Sequence, residues 1–208
     1  MEKPSVQERL LDAGLKLMSE KGYLGATTRG IAQAAGVTEL TLFRHFGSKE
    51  RLFEEVLKTY SFLPTLEGLL PALESMAYED GLKLLGGHFF ENLKERKSLI
   101  KIMLSEITSY PNKVSAVYSS FIPELVGMLA GHLRALQEKG VLREFSPELG
   151  ARSFLGTFFS YFLSEEIMAA RVISEKEMET VVDEFTGLFI SGTSHCGLRI
   201  SECGIDKI

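Results

Sequence analysis

Tryptophan is absent from this 208-residue chain, and cysteine, histidine and proline number only two, four and six. So few thiols cannot build a disulfide framework. Cys196 and Cys203 stand near the C-terminus with six residues between them and His195 beside the first. A single such cluster is a poor zinc site, so they read first as plain reduced thiols, with metal or redox sensing as the other reading. Long apolar runs are missing too: no uncharged stretch exceeds the 14 residues of Phe185–Leu198. A membrane-spanning helix needs about 20, so no membrane partner is expected. The opening MEKPSVQERL lacks an apolar secretory stretch and carries acids, which predicts a cytoplasmic protein. The sequence holds no GxSxG, no phosphate-binding glycine loop and no paired metal-binding histidines. An enzyme is therefore not expected, nor a cofactor.

Strand-like alternation is also missing, and almost every segment carries a helical period, so the expected fold class is all-α. The net charge of −5 speaks against a general nucleic-acid coating protein, which would need a far more basic surface. The charge is unevenly spread. Residues 1–60 hold nine Lys/Arg and eight Asp/Glu, a net of +1, whereas residues 61–208 hold fourteen against twenty, a net of −6. The front of the chain is the part that can approach an anionic partner.

What is present in that front part is a spacing. In TRGIAQAAGVTELTLFRHF, residues 28–46, the small Ala32 sits mid-helix where a second helix must cross closely. Gly36 follows four residues later, where the turn needs a positive φ, and Leu42 faces inward six residues beyond. Ile31, Ala35 and Val37 supply further apolar contacts. This is the pattern of a helix-turn-helix, which offers its short second helix to a DNA major groove.

Around it the helix ends are marked. Ser5 and Glu8 form a capping box before Val6, Leu10, Ala13 and Leu17, and Lys21-Gly22 closes that helix. Thr27 or Thr28 caps the second helix, Thr38 the third, and Ser48 a fourth through Leu52, Phe53, Val56, Leu57 and Tyr60. Pro64 and Pro71 interrupt the pattern, so the boundary falls near 60, giving a DNA-binding domain over 1–60 and a helical domain over 61–208. The second domain reads as a helix through Leu82, Leu85, Phe89 and Leu93 with a bend at Gly86-Gly87, then one over 98–109 and a long one to Leu136. Ser146-Pro147-Glu148 and the Ser174/Glu177 box start the last two. About nine helices result: a three-helix front domain carrying the helix-turn-helix, then a helical bundle for ligand binding and dimerisation.

From about Glu8 to Val56, the segments KGYLGATTRGIAQAAGV, TELTLFRHF and GSKERLFEEVL resemble the tetracycline-repressor (TetR) family of bacterial regulators. The resemblance implies a dimer on a near-palindromic double-stranded operator and a small-molecule effector held in the helical domain. It also carries DNA contacts onto matching positions. Arg29 matches a residue that reaches a base edge, where its guanidinium can grip guanine O6 and N7. Thr28 beside it matches a phosphate contact. Glu39, Leu40 and Thr41 match groove-facing positions, with the capping Thr38 counted beside them. Phe43 stands where tyrosine is usual, so a hydroxyl to phosphate is lost while the ring can still pack on sugar. His45 and Lys49 match phosphate contacts, and Arg44 can serve phosphate or base. Glu39 fits two roles: accepting from cytosine N4, or extending the helix cap as an acid in the first turn.

The back of the chain is rich in aromatic residues and methionine. Most of these must be core, but His88, Phe89, Asn92, Met103, Tyr118, Phe121, Phe158 and Phe162 are the candidate lining of an effector site. Such a mixture suits an apolar or aromatic small molecule held by one or two hydrogen bonds. His132 is a further polar group on an apolar face. Phe154–Leu163 has apolar groups on more than one side, and Gly156, Ser160 and Ser164 recur every four residues. In the family the last two long helices form the dimer interface, and residues 147–192 resemble them. The expected function is a ligand-responsive dimeric repressor, with a regulator or partner-binding protein of the same fold acting without a ligand as the alternative.

Overall fold

The computed structural model of the chain describes residues 4–109 and 111–194, and of 105–109 and 111–120 only the backbone. His195, Cys196, Cys203 and the side chain of Tyr118 lie outside the described residues. Within these limits the fold is all-α, and the pairing of Leu142 with Ser194 is a single isolated bridge. The helices are α1 (Val6–Gly25), α2 (Thr28–Ala34), α3 (Glu39–Phe46), α4 (Lys49–Tyr60), α5 (Leu63–Leu73), α6 (Tyr78–Glu95), α7 (Lys97–Ser109), α8 (Pro111–Glu138), α9 (Pro147–Phe162) and α10 (Glu175–Thr193). One π-helical turn, Leu163–Met168, follows α9.

Two compact units result: one from the residues up to Pro64 with Asn92–Glu124, the other from Thr65–Glu91 with Leu125 onward. A division at 60 was expected from the prolines. The first unit instead takes in 92–124 because Leu99 and Phe121 are buried with Leu10, Met18, Ile31, Leu42, Leu52 and Val56 in one core. Each such side chain contributes roughly 1.5–3 kcal/mol when fully buried.

The helix starts follow local chemistry. The Ser5 N–H donates to Glu8 at 2.7 Å while the Glu8 N–H donates to the Ser5 hydroxyl at 3.2 Å. That exchange holds the exposed Glu8 carboxyl below its ordinary pKa, the Ser5 backbone N–H being the larger cause. Thr27, not Thr28, caps α2, accepting from the Gly30 N–H at 3.1 Å. Ser48 caps α4 through the Arg51 N–H at 3.2 Å. Gly22, at φ 73°, breaks the regular α1 path where Lys21-Gly22 was expected to close it. Gly14 lets α1 approach α4: a Cβ there would stand 3.2 Å from Val56 Cγ2.

Pro64 and Pro71 do not keep residues 63–73 out of a helix. Pro64 sits in the first turn of α5, where its missing N–H has no intrahelical partner to lose. In the second unit Phe154, Phe158 and Phe162, four residues apart along α9, build an aromatic core. Phe158 meets Phe154 at 5.2 Å, Phe185 at 5.5 Å, Phe90 at 6.3 Å and Phe89 at 6.5 Å between centroids, mostly edge to face. Within the π turn, the buried Glu166 accepts from the Ile173 N–H at 2.9 Å, and Arg171 beyond it bonds Glu165 and Glu177, fixing the link into α10.

Candidate nucleic-acid interface

The turn between α2 and α3 is held from inside. Gly36 takes φ 67°, a left-handed value that a side chain would resist, and its N–H donates to the Gln33 carbonyl at 3.1 Å. The Val37 N–H reaches back to the Ala32 carbonyl at 2.9 Å. Ile31, Ala32 and Ala35 bury one side of the pair, and Leu42 with Phe46 buries one face of α3. Thr38 caps α3 by accepting from the Thr41 N–H at 3.2 Å, and the two threonine hydroxyls share a bond at 2.9 Å. Gly47, at φ 75°, ends α3, and α4 starts two residues later.

With Leu42 and Phe46 committed to the core, the remaining faces of α3 are presented outward. Leu40 is 71% exposed and Phe43 42%, an unusual exposure for large apolar groups, and Arg44 and His45 are exposed beside them. Arg29 is exposed at the second position of α2. A short capped helix with apolar and cationic groups outward can enter a major groove, meeting thymine methyls and base acceptors there.

Two features of this face left no trace in the motif. The Thr28 hydroxyl donates to Glu39 Oε1 at 2.5 Å, joining the first residues of α2 and α3. A hydroxyl has one proton, so in this state Thr28 keeps its backbone N–H, not its side chain, as the donor for a phosphate. Lys49, at the start of α4, lies over the Tyr23 ring at 4.4 Å from its centroid and donates to the Leu24 carbonyl at 3.4 Å. Its ammonium is thus oriented before any anion arrives.

The candidate effector residues fall in both units. In the second, Phe89 and Phe158 are ring neighbours, and Phe162 meets Phe90 at 6.4 Å, all within the aromatic core. His88 is partly exposed, its Nδ1 3.5 Å from the Glu91 carboxylate. In the first, Phe121 belongs to the buried core, Met103 packs against it and Asn92 is half-buried. Partial burial holds the pKa of His132, in the second unit, below the ordinary histidine value.

The fold and the outward face of α3 define a helix-turn-helix DNA-binding protein. The model of bacterial regulatory proteins, tetR family, matches residues 10–56, and that of the AefR-like transcriptional repressor C-terminal domain matches 80–191. The chain belongs to the TetR family of DNA-binding transcriptional regulators. It is 32% identical over 187 residues to the uncharacterised HTH-type transcriptional regulator YvkB of Bacillus subtilis, covering 90% of this chain and 96% of that one. A TetR-family regulator from Mesorhizobium loti has a similar fold, with a TM-score of 0.78 and 23% identity over 91% of this chain and 96% of its own. So does FadR of Bacillus subtilis in complex with stearoyl-CoA, at a TM-score of 0.61 and 17% identity over 92% and 98%. None of the described helices is long and apolar enough to cross a membrane.

Proposed function

We propose that the chain is a homodimeric repressor, working in the cytoplasm, that binds a near-palindromic double-stranded operator and is released by a small apolar or aromatic effector. The observation that carries the DNA half is the outward set Leu40, Phe43, Arg44 and His45 on a helix whose opposite face is locked in the core. Arg29 reads a base edge; His45 and Lys49 hold phosphates; Glu39, Leu40 and Thr41 face the groove, with Thr38 beside them. Dimerisation is supported by the exposed side of α9 and the π turn after it, where Gly156, Ser160 and Ser164 border an open depression of about 560 Å³ with Tyr161 and Phe185. Leu149 on α9 and Leu188 on α10 are also exposed, without need in a monomer.

The effector half rests on the family and on the apolar character of the second unit. The acyl chain held by the similar-fold FadR is one ligand of the apolar kind proposed here. Effector and operator would weaken each other's binding by one common factor, typically about 5–150-fold. Fluorescence anisotropy on DNA flanking the chain's own coding region tests both halves, with aromatic acids and long-chain acyl-CoA thioesters added in turn. Nanomolar binding by a dimer, lost on addition of one compound class, supports the proposal. Operator binding indifferent to every compound favours a regulator that works without a ligand.

A further inference from the structure

The Thr28–Glu39 bond places a carboxylate, through the meeting of two helix starts, on a face meant for a polyanion. An unheld acid beside phosphates is repelled and turns away. Here Oε1 is tied at 2.5 Å to a hydroxyl on the preceding helix, and the bond is partly buried. Side-chain freedom that binding would otherwise remove is already gone. Capping does not explain the arrangement: Thr38 is the cap of α3, and the Glu39 side chain is committed to α2.

We propose that Glu39, positioned by Thr28, determines operator specificity by accepting a hydrogen bond from the exocyclic amine of a cytosine in each half-site, an inference that rests on the DNA-binding reading above. An ionised carboxylate only accepts, so among base edges in the major groove it can take only the amines of cytosine and adenine. Adenine offers its amine beside the N7 acceptor, whose lone pair opposes a carboxylate. Cytosine N4 has no acceptor on the same edge, so cytosine is selected. Thr28 is a positioning residue: it touches no base through its hydroxyl but aims the group that does.

The test selects duplexes from a random library with the full-length wild type, Glu39→Ala, Glu39→Gln and Thr28→Val, checks each variant by thermal melting, and titrates each against the selected operator, its cytosine-to-thymine derivative and a random duplex. The wild type should require one cytosine per half-site, preferring it over thymine by about tenfold. Glu39→Ala should erase that preference and bind random duplex at least as well, having lost a repulsive charge. Glu39→Gln should shift the preference toward adenine, which the amide can meet at both N6 and N7. Thr28→Val should lower the cytosine preference by a larger factor than it changes random-duplex affinity, because the bond it removes is the one that aims Glu39. If Glu39→Ala keeps the cytosine, or loses affinity for all sequences alike, the inference is wrong while DNA binding stands. If the wild type selects no motif, the DNA-binding reading falls and takes this one with it.

Discussion

The Tyr60 hydroxyl, at the last residue of α4, donates to the Asp12 carboxylate on α1, and the Arg96 guanidinium lies 5.2 Å from the centroid of the Tyr60 ring. Burial first, and then the Asp12 partner, holds the Tyr60 phenol protonated well above the ordinary tyrosine range. The folded pKa is raised, so the stability it contributes is complete below the unfolded value of about 10 and is lost as pH climbs past it. Tyr60→Phe should lower stability at pH 7 by about 1 kcal/mol, the bond being partly exposed. It should also flatten the fall between neutral and strongly alkaline pH. Urea unfolding of both proteins across that range checks it; parallel pH curves would contradict it.

Lys49 and Arg29 should fail differently. Lys49→Ala removes the ammonium that Tyr23 holds in place and that is proposed to meet a phosphate, so it should weaken every sequence alike. The slope of log affinity against log salt should become shallower by about 1 for each phosphate the variant no longer neutralises. Anisotropy titrations between low and moderate salt measure this.

Arg29→Ala should instead relax base preference by about 1–3 kcal/mol at one operator position. Selection from a library reads that change directly. Equal loss of preference in the two variants would contradict the division of roles.

Two neighbouring glycines of α6 should respond with opposite signs. A Cβ at Gly86 would stand 2.9 Å from Phe158 Cζ, whereas at Gly87 it would meet nothing within 4 Å. Phe158 is wedged among four other rings and has little room to yield, so Gly86→Ala should destabilise by about 1–3 kcal/mol. Gly87→Ala should stabilise by up to about 1 kcal/mol through helix propensity. Thermal or urea unfolding of the pair decides it.

These residues also mark what the sequence could carry. Caps at Ser5, Thr38, Ser48, Ser146 and Ser174 were legible because a cap is chemistry within three residues. The inward Leu42 and the turn at Gly36 were legible from spacing alone. Gly86-Gly87 suggested a bend, yet α6 runs unbroken, because Gly86 serves the approach of Phe158 from 72 residues away in sequence. α5 was hidden by its prolines, and the packing of 92–124 with the first unit has no local signature. On α3, spacing gave only the inward Leu42, while the outward Leu40 and Phe43 were named through the resemblance to the TetR family. That Thr28 holds Glu39 required the two helix starts to be brought together in space.

Placement of α3 in the groove is most directly measured by cutting DNA from it. Leu40→Cys, in a Cys196→Ser/Cys203→Ser background, would carry an iron–EDTA cleavage reagent onto the bound operator. Two cleavage patches related by a two-fold axis are expected, each centred on a major groove, about 34–36 Å or a multiple of that apart. Operator binding that persists with no cleavage, or with cuts at a single site, would contradict that placement.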